Sequence, residues 1–290
     1  MVWTDRSTNN LRSGIWQGCR RLCNDWPSTV EATVTFIRPR SFVFAAGLAG
    51  LFLTAATGLA EAADATALLK AAFDNWRATS SETSISMTVH RPTWERHLEM
   101  TGWTEGSDKA LVRFTAPAAD AGNATLKVGN RMWVFNPKLN QVISLPASLM
   151  GQSWMGSDFS YNDLSKAEDV LTEYTHKIVG TSSSGGHTVY TIDAIPKPGA
   201  PVVWGKQQAK VRDDGIFLAV TYFDQDMKPV RTMTTDKIGS LGGRTYPLVL
   251  TMRPAANPDQ WTRIETTAGK FDISLPDYIF TRSNLQNPRG

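Results

Sequence analysis

The sequence predicts a mainly β (α+β) fold: a strongly bent antiparallel sheet forming a half-open β-barrel, with an N-terminal helix and a helical lid across the concave face. Three observations predict it. After Ser80, apolar and polar residues alternate in short segments, the pattern of strands with one dry and one wet face. Turn residues separate these segments at hairpin spacing. One apolar stretch, residues 146–171, breaks the alternation and falls between two groups of strands.

The chain divides at residue 62. Arg38-Pro39-Arg40 precedes a run from Phe42 to Leu59 that carries no charge, and Ala60-Glu61-Ala62 follows it. A basic flank, an apolar run and a small-x-small end describe a secretory leader. Residues 1–62 are therefore read as an N-terminal extension and signal peptide cut after Ala62, and residues 63–290 as one domain. Both cysteines, Cys19 and Cys23, fall in the leader. The remainder has no thiol for disulfides, nucleophilic catalysis or metal binding. Of 30 basic and 27 acidic side chains, six and four precede residue 63. The balance that remains gives no basic field for nucleic acid.

The domain begins with a helix. Asp64 or Thr66 can cap it, and Leu68, Leu69, Ala72, Phe73 and Trp76 recur at three- and four-residue spacing, marking one apolar face. Strands follow. Ile85, Met87 and Val89 alternate with polar neighbours, as do Leu98 and Met100, Val112 and Phe114, and Leu126 and Val128. Further strands fit 131–135, 141–145, 174–181, 187–194, 206–212, 216–223, 229–239, 246–253 and 260–268. Gly129-Asn130, Asn136-Pro137, Gly185-Gly186, Asp213-Asp214-Gly215 and Gly242-Gly243 supply turns between them. A sheet of roughly a dozen strands must curl, close or be covered. After residue 206 apolar residues occupy both phases (Ile216, Leu218 and Val220 against Phe217, Ala219 and Phe223), so alternation does not assign an inward face there.

Residues 146–171 are rich in Met, Trp, Phe and Tyr. Ser160 and Asp163 form a variant capping box opening a short helix through Leu164 to Leu171. This insert is expected to lie over the concave face. Near the end, Leu275-Pro276-Asp277-Tyr278-Ile279-Phe280 reads as a turn followed by apolar anchors.

Catalytic patterns are weak. His90, His97, His176 and His187 form no His-x-x-x-His or Glu-x-x-His motif. His90 and His97 flank a turn and can meet across a hairpin, but two ligands make a poor metal site. Gly156-Ser157-Asp158 is not a nucleophile elbow, and no phosphate-binding glycine loop is present. Asp158 and Asp163 read as helix-start caps rather than an acid pair. No enzyme activity, cofactor or metal is implied. Trp76, Trp94, Trp103, Trp133, Trp154, Trp204 and Trp261 leave open a carbohydrate-binding alternative, which needs several on one exposed face. Trp103 and Trp133, in the polar phase of their strands, favour it mildly. A transporter adaptor without lipid cargo is a further alternative.

Four segments carry a resemblance. They are Arg131-Met132-Trp133-Val134-Phe135-Asn136-Pro137, Met155-Gly156-Ser157-Asp158-Phe159-Ser160-Tyr161-Asn162-Asp163-Leu164, Tyr222-Phe223-Asp224 through Pro229-Val230-Arg231, and Leu275 through Leu285. In this order they resemble the bacterial outer membrane lipoprotein-sorting proteins, a superfamily of LolA-like periplasmic carriers, over nearly all of residues 63–290. The resemblance implies a periplasmic carrier that binds acyl chains of lipids or lipoproteins in an apolar half-barrel and shuttles them toward the outer membrane. It also implies an inner-membrane transporter and an outer-membrane acceptor as partners. The expected cavity is formed by Ile85, Met87, Val89, Leu98, Met100, Val112, Phe114, Leu126, Val128, Met132 and Val134, with Trp154, Met155 and Phe159 from the lid. Methionine suits a deformable apolar surface.

Overall fold

A computed structural model describes residues 63–289. The expected leader and its cleavage site after Ala62 lie outside the described residues. Helix α1 spans Ala65–Arg77. Asp64 caps it, accepting from the Thr66 amide at 2.9 Å, and so satisfies one of the amides a helix start leaves without a partner. Thirteen strands follow: β1 Ser80–Arg91, β2 Trp94–Glu105, β3 Lys109–Ala116, β4 Ala124–Val128, β5 Arg131–Asn136, β6 Gln141–Ser144, β7 Tyr174–Ser184, β8 His187–Pro196, β9 Lys206–Arg212, β10 Phe217–Phe223, β11 Pro229–Leu241, β12 Arg244–Pro254 and β13 Trp261–Phe271. Each strand expected from alternation is present, several extended at their ends.

All thirteen form one antiparallel sheet in the order β6-β5-β4-β3-β2-β1-β13-β12-β11-β10-β9-β8-β7. The first strand pairs with the last, from Ser81 opposite Phe271 to His90 opposite Trp261. The sheet is a two-armed meander with β6 and β7 as its edges. These edge strands are consecutive in sequence, so residues 145–173 must run from one free edge to the other. That connection is the apolar insert. Topology carries it across the open side of the bent sheet, because a shorter route would cut through strands already paired.

The insert is broken into short pieces. Trp154–Gly156 is a 3-10 turn; helices α2, Tyr161–Ser165, and α3, Asp169–Glu173, follow. A continuous helix from 164 to 171 is not formed: Lys166 leaves helical geometry and separates the two. The capping box is formed. Ser160 and Asp163 exchange backbone-to-side-chain bonds, with the Ser160 amide donating to Asp163 Oδ2 at 2.6 Å.

Three apolar clusters hold the domain. Leu69, Ala72 and Phe73 of α1 pack on Ile192, Ala209, Val211 and Val220 of the β8–β10 arm, with Phe73 edge-on to Phe217 at 5.1 Å. Trp154 and Phe159 of the insert pack on Met87, Val89, Leu98, Met100, Phe114 and Met252. Each such side chain contributes roughly 1.5–3 kcal/mol by burial. The third cluster joins Leu111, Leu126, Trp133 and Phe135 to Phe280 and Leu285. Here Asp277–Phe280 and helix α4, Arg282–Gln286, cover the outer face of β3–β5. Arg113 fixes this segment by donating to the Asn284 and Leu285 carbonyls at 2.7 and 3.1 Å. Among the described residues no helix is long and apolar enough to cross a membrane.

Candidate functional site

Between α1, the insert and the concave face lies a cavity of about 280 Å³. It sits near the lower end of the roughly 300–1,000 Å³ of small-molecule sites. One wall is Ile85, Met100 and Val112 of β1–β3, the other Ala209, Val220, Met233, Leu250 and Ile264 of β9–β13. Phe73 and Trp76 close one side, and Trp154, Phe159 and Leu164 the other.

Six of the fourteen expected site residues meet in this wall: Ile85, Met100, Val112, Met132, Trp154 and Phe159. Met87, Val89, Leu98 and Phe114 are on the same face but buried beneath the insert, and Met155 packs beside them. Val134 lies opposite Thr125, in the inward phase but beyond the wall. Leu126 and Val128 are corrected. Leu126 pairs opposite Leu111 and Trp133 and is sealed under Phe280 and Leu285, with Val128 packed beside it. Strand β4 is covered on both faces, so its apolar phase does not identify the inner one. Its inward residues are Thr125 and Lys127.

The inward face after residue 206 follows from a bulge. Register between β10 and β9 shifts between Phe217 and Ala219, which changes the phase of a strand. Phe217 and Val220, three positions apart, consequently both line the cavity.

Two ion pairs fasten the middle of the insert. Arg91 Nη2 donates to Asp158 Oδ1 at 3.0 Å, and Arg91 Nη1 to Asp158 Oδ2 at 3.1 Å. Thr262 Oγ1 donates to Asp158 Oδ2 at 2.7 Å. Asp158 is thus an anchor to β1 and β13, not the helix cap expected. Arg231 Nη2 donates to Asp163 Oδ1, and Arg231 Nη1 to the Asp158 carbonyl at 2.8 Å. The Arg231 guanidinium also lies 4.8 Å from the Trp204 ring centroid and 4.7 Å from that of Tyr222, favourable cation–π separations. Gly205 permits this arrangement. A Cβ there would lie 2.3 Å from the Asp224 carbonyl oxygen, so only glycine lets the loop bearing Trp204 close on the β10–β11 turn. Burial pushes the Tyr222 hydroxyl well above its ordinary range, with the Asp163 charge adding to the effect.

Polar groups enter the cavity at the β4 wall. Lys127, only 9 % exposed, donates to the Ser107 carbonyl at 2.5 Å. Its pKa is lowered by burial first and then by Arg77. Arg77, also at the cavity, pairs with Glu168 at 2.5 Å. Burial raises the Asp169 carboxyl. Tyr246, buried at the same cavity, is pushed up to about 12 by burial.

The histidines occupy other places. His90 and His97 do meet, each on Glu95, at 2.8 and 3.1 Å. His187, Asp213 and Asp214 form a surface group. Asp213 there already accepts from His187 and from the Thr188 amide, at 2.7 and 2.9 Å. Trp133 is buried under the C-terminal segment, and Trp76, Trp154 and Trp204 face the cavity, so these do not make a shared exposed platform.

A family model described as "Uncharacterized protein" matches residues 106–287. No curated protein matches the chain. Solved structures with the same fold include a DUF1329 family protein from Desulfovibrio piger. Its TM-score is 0.69 at 21% identity, over 76% of this chain and 97% of that one. A domain from Vibrio parahaemolyticus described for outer membrane lipoprotein sorting gives 0.67 at 19%, over 77% and 98%. A LolA superfamily protein from Nitrosomonas europaea gives 0.64 at 20%, over 77% and 99%. At these identities the likeness is one of fold: an open, mainly β LolA-like barrel.

Proposed function

The chain belongs to the family whose model spans residues 106–287, and from that premise we propose that it is a periplasmic carrier of acyl chains. The single observation behind the reading is the apolar cavity held between a bent sheet and a strap tied to both sheet edges. The sorting role stated for the Vibrio parahaemolyticus domain of this fold supports the same reading. Export follows from the leader, with the mature protein beginning at Ala63. The cargo is lipid or the acyl chains of a lipoprotein, taken from an inner-membrane transporter and passed to an outer-membrane acceptor.

Physical chemistry gives the reason for such a sheath. Each methylene left in water costs about 0.8 kcal/mol, so a long acyl chain in water is penalised by on the order of 10 kcal/mol. Relief requires apolar area and adaptability more than directional bonds. Met100, Met132, Met233 and Met252 in the cavity wall provide both. The test is a titration of the purified protein with a fluorescent fatty acid. Saturable binding, displaced by unlabelled long-chain lipid, is expected. Binding no stronger than to a generic soluble protein sinks the carrier reading.

A further inference from the structure

Resting on the carrier reading, we propose that the cavity selects amphiphiles with an anionic head, carboxylate or phosphate, and that Lys127 receives that head. An apolar wall alone would accept any alkyl chain. This cavity is also lined by a lysine. Lys127 lines it, is 9 % exposed, and has one acceptor, the Ser107 carbonyl at 2.5 Å. An ammonium carries three donors. Among the described residues, no carboxylate oxygen lies within 4.0 Å of it. A buried cation with open donors beside apolar side chains is costly. A bound oxyanion removes that cost through charge-assisted hydrogen bonds.

The surroundings agree in sign. Asp108, Glu168 and Asp169 are the acids that act on Lys127, and Arg77 is the base. Glu168 is matched by Arg77 at 2.5 Å, and Asp169 faces Lys166 at 3.9 Å. The charge left without a close partner in the cavity wall is that of Lys127. The depression of its pKa by burial accords with a site whose counter-ion arrives with the ligand. Polar side chains accompany Lys127 at its own wall. Thr104, Thr125 and Lys127 stand at the β2–β4 wall, whereas Val220, Met233 and Leu250 stand at the other. A head at Lys127 directs the tail toward the β10–β12 wall.

The test is competition for the fluorescent fatty-acid probe by three unlabelled C16 ligands: the fatty acid, the fatty alcohol and a lysophospholipid. In the wild type at pH 7 the acid should displace probe at about tenfold lower concentration than the alcohol, as expected for a hydrogen bond to a charged group. Comparing the acid with the lysophospholipid separates a free fatty acid from a phospholipid-type head. Lys127→Met should bring acid and alcohol to the same value, and Lys127→Arg should keep the preference. A measurement on the wild type guards against a folding defect. The advantage of the acid should fade as pH rises through the titration of Lys127, with alcohol binding constant. Equal displacement by acid and alcohol in the wild type, or a Lys127→Met loss that is the same for both, overturns the head-group assignment and leaves the carrier reading in place. If no amphiphile displaces the probe, the carrier reading itself fails.

Discussion

Asp163 is shared between two tasks: one carboxylate oxygen completes the capping box of α2, and the other accepts from the buried guanidinium of Arg231 on β11. The side chains are 14% and 9% exposed, so the pair is desolvated. Removing one partner of such a pair strands a charge at about 3–5 kcal/mol. Loss of a cap costs about 1 kcal/mol. Asp163→Asn should therefore destabilise the domain by about 3 kcal/mol, and Ser160→Ala by about 1. Urea unfolding measures both. Equal small losses would mean that the Arg231 contact contributes nothing.

That pair also marks where sequence reading stops. Strands were legible because alternation and turn chemistry are local, and the capping box because it spans three residues. Arg231 lies 68 positions from Asp163, and Arg91 lies 67 from Asp158; no periodicity joins them. Leu126 shows a second limit. Its apolar phase signals burial, and burial was correct, but the covering element was the C-terminal segment and not the cavity. Lys127 is illegible for the same reason, because the polar phase of a lone strand reads as its solvent face. Beyond residue 206 the bulge at Phe217–Ala219 put inward residues in both phases.

Acid should act on the joint between the chain's first and last strands. Asp272 accepts from the Thr79 amide and hydroxyl at 3.0 and 2.8 Å and from Arg244 at 2.6 Å. The Thr79 amide is the chief reason its pKa lies below the ordinary 3.8. A carboxylate depressed on folding contributes stability above its unfolded pKa and loses it as pH falls through the folded value. Asp272→Ala should be less stable than the wild type at pH 7, and the difference should close as pH drops below 3.8. Unfolding midpoints at pH 7 and pH 3 decide it; an unchanged gap would show that the carboxylate charge is not involved.

The cavity should respond to volume and to charge in different ways. Met100 is 3 % exposed and lines the wall, so Met100→Asp places an unpaired carboxylate there at a cost of several kcal/mol. It should lower both stability and probe binding. Val112→Phe fills space that the wild type leaves open. It should weaken probe binding while costing less stability than Met100→Asp. Binding isotherms and unfolding curves of the two variants separate ligand volume from general damage. Undiminished binding in Val112→Phe would place the probe elsewhere.

The insert should open to admit cargo. Trp154 and Phe159 occupy the concave face, which a long ligand needs, so insert and cargo compete for one surface. The restraints on residues 154–164 are identifiable. The Trp154 ring packs tilted against Phe114 at 5.3 Å between centroids and donates through Nε1 to Thr125 Oγ1 at 3.2 Å. Arg91 and Arg231 hold Asp158 and Asp163. The insert is otherwise short turns and five-residue helices, too short to persist without tertiary contacts. It belongs at the low-stability end of the domain. Amides of residues 147–173 should exchange faster than those of β1 and β13 in the free protein, and lipid should change their rates selectively. Trp154→Ala removes the central anchor at about 3 kcal/mol. It should raise exchange across the insert and speed lipid uptake while leaving β1–β13 protection high. Hydrogen exchange with and without lipid reads this directly. Full, equal protection of residues 154–164 in both states would make the insert fixed core, and cargo would then need another route into the barrel.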